Sequence, residues 1–240
     1  MQTPPPVAAT RVDRALLITG AVGIAVFTAM ILASAWVYDA VVDADGVSGL
    51  DRPILDRALS ARTPASEFWV TAFTNLGKTA PMVVLGLTLT SLIWWRWRRR
   101  TAWVLMLVAS AGSVTFTIVS KAMIARNRPP LAEAVPPYEE SFSFPSGHTL
   151  NSTVVAGMLA YLVVWLSRTL WVRGLAVLAA LLWAIPMGLS RVFLGHHWFT
   201  DVVFAWLFGV AWLALLITVH RVIWHLQGRP PGRFHKPPPD

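Results

Sequence analysis

Apolar segments of about 20 residues alternate with shorter polar stretches along the 240-residue chain. A helix of about 20 apolar residues is long enough to cross the hydrocarbon core of a bilayer, so each segment is predicted to be a transmembrane helix. The six segments are roughly Ala15–Tyr38, Ala80–Trp97, Thr101–Ala122, Gly147–Ser167, Trp171–Leu189 and Trp198–His220. The pattern therefore predicts an all-α fold, an integral membrane bundle of six transmembrane helices.

Little of the chain remains for a second domain. We predict one membrane domain over residues 11–226, between a disordered proline-rich tail (1–10) and a disordered cytoplasmic tail (227–240). Ala33-Ser34-Ala35 resembles the cleavage site of a signal peptide. The first apolar segment is longer than the roughly 7–15 residues of such a signal, so we expect it to be retained as a transmembrane helix.

The longest polar interval, residues 39–79, is predicted to hold short helices outside the membrane. Pro53 and the pair Thr63-Pro64 are typical of helix starts, because proline suits the first helical turn. Between them, apolar residues fall on one face of a helix. Such a helix either packs on the bundle or lies at the interface beside an entrance for lipids, and the first interpretation is preferred.

Charge is distributed unevenly over the predicted loops. The net charge is +8, although only 13% of the residues are charged. With a cytoplasmic N-terminus, six spans place twelve basic and two acidic residues on the inner side, and eight basic and ten acidic residues on the outer side. Basic loops remain in the cytoplasm, so both termini are predicted to be cytoplasmic. The positive charge is then a signal of topology, and a nucleic-acid partner is not expected.

Three cations, Lys121, Arg126 and Arg128, lie at the predicted outer end of the third apolar segment. Lys121 and Arg128 are seven residues apart, so on a continuous helix they share one face, about 10 Å apart along the axis. Their long side chains can then converge on one anionic group. The alternative is that they are cations snorkelling to the membrane interface, which is common at helix ends.

A second polar stretch, Phe144-Pro145-Ser146-Gly147-His148, opens the fourth apolar segment. Proline and serine suit a helix start, and glycine allows a ligand to approach the backbone closely. The free N–H groups and the positive dipole end of a helix N-terminus favour a phosphate. His148 stands beside this position and is able to pass a proton.

The third cluster begins with Ser190-Arg191 and continues to Asp201. His197 and Asp201 are four residues apart, so at the start of the last helix they are predicted to share one face. A carboxylate there can accept the imidazole N–H and leave the other ring nitrogen as a nucleophile or base. A purely structural pair is the alternative. His196 points elsewhere on such a helix and is not expected to be catalytic.

All three clusters fall at predicted outer helix ends, and together they fit a phosphoryl group. They offer cations and a helix N-terminus to stabilise charge, a nucleophile, and an acid for the leaving group. A metal site of His148, His197 and Asp201 is the rival, but three surrounding cations would repel a metal ion. The chain also has no cysteine to act as nucleophile or thiolate ligand. No metal or other cofactor is expected, and these residues alone leave open which histidine attacks.

The three clusters resemble the three-part signature of the type 2 phosphatidic acid phosphatase superfamily. Its positions are matched by Lys121 through Arg128-Pro129, by Pro145-Ser146-Gly147-His148, and by Ser190-Arg191 through His197 and Asp201. The resemblance implies that the phosphate is bound by Lys121, Arg128, Ser146, Gly147 (through its backbone) and Arg191. It also implies that His197 forms a phosphohistidine, that Asp201 orients His197, and that His148 protonates the leaving oxygen and then activates water.

The resemblance implies a hydrolase that acts on a lipid phosphate or diphosphate in the plasma membrane. A site on the extracytoplasmic side suits a polyprenyl diphosphate of the undecaprenyl or decaprenyl type, and phosphatidic acid or phosphatidylglycerol phosphate is the second choice. Arg126, which is outside the signature, is considered as a secondary contact to a second phosphate.

Two other classes of function stay open. One is a phosphotransferase that passes the phosphoryl group to another lipid. The other is a non-catalytic lipid-binding protein. The presence of His148, His197 and Asp201 argues against it, because binding alone would not need them. The expected partners are the lipid substrate and membrane lipids, and the sequence does not indicate an oligomeric state.

Overall fold

The computed structural model describes residues 14–227, and within this range it contains eight α-helices and no strand. The helices are α1 (Arg14–Val42), α2 (Asp51–Ser60), α3 (Pro64–Asn75), α4 (Thr79–Trp97), α5 (Thr101–Ile124), α6 (Gly147–Leu166), α7 (Leu170–Phe193) and α8 (Phe199–Leu226). The all-α prediction is confirmed. The tails predicted at 1–10 and 227–240 lie outside the described residues, apart from Gln227.

Five helices, α1, α5, α6, α7 and α8, are long and apolar enough to cross a membrane. The helices α3 and α4 meet at a bend of 56° and give a sixth span if the pair is counted as one. The predicted membrane bundle is confirmed, and the predicted second span, Ala80–Trp97, corresponds to the single helix α4. The bend lies at Gly77, which packs so tightly on α7 that a Cβ there would lie 2.3 Å from the sulfur of Met187.

Helix α6 lies at the centre of the bundle and contacts α4, α5, α7 and α8. Leu150, Val154, Met158 and Leu162 follow one another at four-residue spacing and are all fully buried. The outer helices instead expose large apolar side chains, as expected where the surrounding solvent is lipid. The central position of α6 brings the polar stretch at its N-terminus to the middle of the outer end of the bundle.

Helices α7 and α8 approach each other closely just below that end. A Cβ at Gly188 would lie 2.5 Å from the ring of Trp206, so only glycine allows this contact without displacing the indole. The indole N–H of Trp206 donates to the carbonyl of Ala184 at 3.0 Å. Since Gly188 is one turn before Arg191, this contact fixes Arg191 near the beginning of α8.

The interval 39–79 forms short helices at the outer end, as predicted. Helix α3 begins at Pro64, and Thr63 and Ser66 cap it reciprocally. Helix α2 begins at Asp51, with Pro53 in its first turn, and packs against α7 and α8. Leu55 is almost completely buried. This arrangement agrees with the interpretation of a helix packed on the bundle.

Candidate active site

His197 and Asp201 lie in contact where α8 begins. The His197 Nδ1 is 3.2 Å from the Asp201 Oδ2, and both side chains are buried. Because α8 starts at Phe199, His197 precedes the helix, and the prediction of a shared helical face is wrong. The two still meet because Asp201 turns back over the helix N-terminus, where it accepts the Trp198 N–H at 3.0 Å. A carboxylate at Nδ1 holds the proton there and leaves the lone pair on Nε2.

Ser143 completes this group and was not identified from the sequence. Its hydroxyl donates to Asp201 Oδ2 and lies 3.4 Å from His197 Nδ1, and the residue is fully buried. Its backbone N–H donates to the Arg126 carbonyl at 2.8 Å, which ties the loop before α6 to the end of α5. No local pattern distinguishes this serine from the exposed Ser141 two residues earlier.

Arg128 covers the free ring nitrogen of His197. The Arg128 Nη1 is 3.2 Å from His197 Nε2 and also donates to the His196 carbonyl. The Arg128 Nε donates to the Ser141 carbonyl at 2.6 Å. A fixed cation therefore stands beside the atom that carries the lone pair.

Lys121 and Arg128 converge, as predicted, but not from one helical face. Helix α5 ends at Ile124, and Ala125 follows in the left-handed region with a φ of +49°. Arg128 therefore lies in the loop before Pro129, a position where helix is disfavoured. The Lys121 ammonium donates to the Phe142 carbonyl and, at 3.3 Å, to the Ser141 hydroxyl. The Arg128 Nη2 donates to the same two groups, at 3.3 and 3.2 Å respectively.

Arg191 is almost completely buried and pairs with Glu139, a residue that the sequence did not single out. The Arg191 Nη2 donates to the Glu139 Oε1 at 2.6 Å, and the Arg191 Nη1 donates to the Thr74 hydroxyl at 3.2 Å. Burial raises the pKa of Glu139, but the charges of Arg191 and Arg128 outweigh it, so this pKa lies below its ordinary value. The Glu139 carboxylate thus already faces Arg191, the cation that was assigned to phosphate binding.

The polar stretch at the start of α6 stands where the prediction put it. Gly147 is the first residue of the helix, and Ser146 before it is fully buried and accepts the Thr149 hydroxyl at 2.9 Å. The first N–H groups of a helix have no partner within it and can therefore bind an anion. The His148 Nε2 is buried and has no hydrogen-bond partner within the described range 14–227.

The electrostatics of His197 show which charges surround it. Burial lowers its pKa well below the ordinary 6.5, and the charges of Arg128 and Lys121 lower it further. Arg191 and His148 act in the same direction at smaller magnitude. The structure therefore brings the predicted cations and both predicted histidines together, and His197 is neutral at physiological pH. The neighbouring His196 instead faces the carbonyl of Val135, with its Nε2 at 2.7 Å.

Arg126 does not have the position expected of a contact to a second phosphate. Its Nη1 donates to Asp201 Oδ1 and, at 2.9 Å, to the Thr200 hydroxyl. Its Nη2 donates to Asp51 Oδ2 at 2.7 Å. Both terminal nitrogens are thus bound by carboxylates, because α2 brings Asp51 against the first turn of α8. Asp51 was not predicted to belong to the site, because 75 residues separate it from Arg126.

This arrangement can bind and attack a phosphoryl group. It has a histidine whose Nε2 lone pair faces the Arg128 guanidinium, further cations nearby, a helix N-terminus and a second histidine. Among residues 14–227, no group of three or more histidine, aspartate or glutamate side chains is placed to hold a metal ion.

Comparison with protein families agrees with this chemistry. The model of the PAP2 superfamily matches residues 102–224, which contain all three sequence clusters. Phosphatidylglycerophosphatase B of Bacillus subtilis is 31% identical over 168 residues, covering 68% of this chain and 80% of the relative. Undecaprenyl-diphosphatase of Sulfolobus acidocaldarius is 27% identical over 123 residues, covering 50% of this chain and 55% of the relative.

Solved structures share the fold. The transmembrane PAP2 type phosphatidylglycerolphosphate phosphatase from Bacillus subtilis superimposes with a TM-score of 0.72 at 26% identity, over 84% of this chain and 96% of that one. The LpxE structure from Aquifex aeolicus gives a TM-score of 0.52 at 22% identity, over 71% of this chain and 95% of that one. This second likeness concerns the fold alone.

Proposed function

We propose that this chain, which belongs to the PAP2 superfamily, hydrolyses the terminal phosphoryl group of a lipid phosphate through a phosphohistidine at His197. The protein is a membrane lipid phosphatase of that superfamily. The observation that supports His197 as the nucleophile is its environment. The ring is neutral, Asp201 binds its Nδ1, and Nε2 lies beside the Arg128 guanidinium.

The residues support a two-step reaction. The His197 Nε2 lone pair forms a bond to phosphorus while the bond from phosphorus to the lipid oxygen breaks, and that oxygen takes a proton from the protonated imidazole of His148, which is left neutral. A water molecule then attacks phosphorus and gives a proton to His148, the P–N bond breaks, and inorganic phosphate leaves. Throughout, Asp201 holds the Nδ1 proton and stabilises the positive charge on the ring. Lys121, Arg128, Arg191 and the N-terminus of α6 stabilise the phosphoryl oxygens.

A groove between α4, α6 and α7 supports a lipid substrate. It has a volume of about 250 Å³ and is lined only by apolar side chains, among them Met82, Val155 and Leu159. Val155 and Leu159 follow His148 by seven and eleven residues, so they continue the helix face on which His148 stands. A hydrocarbon chain in this groove would place its phosphate group at the outer end of α6.

The preferred substrate is a polyprenyl diphosphate, and phosphatidylglycerol phosphate is the alternative. The preference rests on the outward orientation inferred from charge and on the relative named undecaprenyl-diphosphatase. Arg126 does not support a diphosphate substrate, because its guanidinium binds Asp51 and Asp201. The alternative has the support of the relative named phosphatidylglycerophosphatase B.

A phosphate-release assay in detergent tests both the reaction and the substrate. We expect release of inorganic phosphate, a higher kcat/KM for polyprenyl diphosphate than for phosphatidylglycerol phosphate or phosphatidic acid, and an unchanged rate with a chelator. Absence of release from every lipid would refute the reaction, and a preference for phosphatidylglycerol phosphate would refute only the substrate. Appearance of a new lipid phosphate in place of free phosphate would identify a phosphotransferase.

We infer the orientation in the plasma membrane from the distribution of charge. The helix ends opposite to the candidate site carry an arginine-rich turn between α4 and α5 (Arg98–Arg100), and basic loops remain in the cytoplasm. We therefore propose that the site faces the extracytoplasmic side and that both termini are cytoplasmic. Intact spheroplasts given a membrane-impermeant substrate should release phosphate at the same rate before and after permeabilisation. Activity that appears only after permeabilisation would reverse the orientation.

A further inference from the structure

We propose that Asp51, at the start of α2, is a positioning residue that controls the catalytic carboxylate Asp201 through Arg126. The proposal rests on the proposed function, since it assigns Asp201 to the support of His197. Asp51 lies in the interval 39–79, far before the three sequence clusters, and no catalytic role was assigned to that interval.

Asp51 makes three contacts, all to groups next to Asp201. Its Oδ1 accepts the backbone N–H of Thr200 at 2.8 Å, and its Oδ2 accepts the Thr200 hydroxyl at 2.7 Å. Its Oδ2 also accepts the Arg126 Nη2 at 2.7 Å. The Thr200 N–H is one of the first-turn donors of α8 that have no partner within the helix. Asp51 therefore caps α8 from another helix, directly beside the catalytic carboxylate.

The two oxygens of Asp201 have separate tasks. Oδ1 accepts from Arg126, whereas Oδ2 accepts from His197, Ser143 and the Trp198 N–H. Arg126 is thus held between two buried carboxylates, with 18% of its side chain exposed against 7% for Asp51 and 0% for Asp201. A buried charge is costly unless it is paired, and here one cation is shared by two anions.

This sharing sets how much negative charge faces His197. While Asp51 neutralises Arg126, Asp201 keeps its own charge for the imidazole, on which positive charge develops during attack on phosphorus. Without the Asp51 charge, Arg126 would be balanced by Asp201 alone, and the carboxylate would stabilise the ring less. Phosphate binding depends on other cations, so the expected effect is on kcat and not on KM.

The test compares Asp51→Asn with Asp56→Asn in the full-length protein. Asparagine keeps an oxygen for the Thr200 N–H but removes the charge that faces Arg126. Asp56 is the matched control, because it lies on the same helix, is 51% exposed and pairs only at the surface with Arg52. We expect kcat to fall roughly ten- to a hundredfold in Asp51→Asn, with KM and the inhibition constant of inorganic phosphate unchanged. We expect Asp56→Asn to match the wild type.

A double variant separates positioning from an independent structural role. Arg126→Gln removes the cation that the two buried carboxylates share, so adding Asp51→Asn should make kcat no worse than in Arg126→Gln alone. If the losses of kcat in the two single variants multiply in the double variant, the proposal is overturned. A kcat for Asp51→Asn within twofold of that of Asp56→Asn would also overturn it. If Asp51→Asn alone does not fold, the kcat of the double variant tests the proposal. A kcat of the double variant below that of Arg126→Gln would then contradict the proposal.

A readout that needs no turnover keeps this proposal distinct from the proposed function. In protein with ¹⁵N-labelled histidine, the ring nitrogens of His197 report how its Nδ1–H is held. We expect their chemical shifts to change in Asp51→Asn and not in Asp56→Asn. Wild-type protein that releases no phosphate from any lipid would refute the function, while these shifts would still test Asp51. Identical shifts in both variants would overturn its positioning role.

Discussion

Replacing His197 with alanine is expected to abolish phosphate release, by about 10⁴-fold or more. The reason is that no other described nucleophile combines burial, a carboxylate at one ring nitrogen and a cation beside the other. A labelled lipid phosphate should also fail to transfer its phosphoryl group to the protein. Acid-lability and base-stability of the labelled wild-type enzyme, measured after rapid quenching, would identify a phosphohistidine.

His225→Ala is the matched control for this variant, because His225 lies at the opposite end of α8. It should keep the activity of the wild type and its labelled intermediate. Persistent labelling of the His197→Ala protein would show that another residue is the nucleophile. His148 would then be the first residue to examine, since it is the other histidine at the candidate site.

Replacing His148 with alanine is expected to slow hydrolysis of a lipid phosphate by about 10²- to 10⁴-fold, the usual range for loss of a general acid or base. The effect should depend on the leaving group. A p-nitrophenyl ester departs without a proton, so the first step should be affected least with that substrate. The second step still needs a base to activate water, so the phosphohistidine should accumulate.

Rapid-mixing measurements can detect the accumulation of phosphohistidine as a burst of p-nitrophenol. The His148→Ala protein should release close to one equivalent of p-nitrophenol quickly and then turn over slowly, with phosphohistidine present at steady state. The same His225→Ala control should show no such burst. Equal losses for lipid and p-nitrophenyl substrates, without accumulation, would mean that His148 is not the proton donor and acceptor.

The membrane architecture was predictable because its constraints are local in the sequence. A span in lipid must be apolar and must satisfy its backbone hydrogen bonds within the helix, so composition over about 20 residues identifies it. The predicted starts of α3 at Pro64 and of α6 at Gly147 were also correct, since proline and capping residues act on the turn in which they occur. Most residues of the candidate site were identified by their types and spacing in three short stretches, but Ser143 and Glu139 were not.

Only the tertiary structure showed what each of those residues contacts. Helix α5 ends at Ile124 instead of continuing to Arg128, yet the side chains of Lys121 and Arg128 still meet, because the loop carrying Phe142 folds between them. The bend between α3 and α4 likewise depends on a contact with Met187, which is distant in the sequence.

The charge pairs of the site show most clearly what only the tertiary structure decided. Glu139 binds Arg191 across 52 residues, and Asp51 binds Arg126 across 75. Sequence patterns reveal which residues are charged and which helix end they are near. They do not reveal which acid meets which base, because that depends on how the helices pack and on which buried charges are brought within hydrogen-bond distance. Arg126 was therefore considered as a ligand for substrate by its type and position, whereas packing against α2 makes it a partner of two carboxylates.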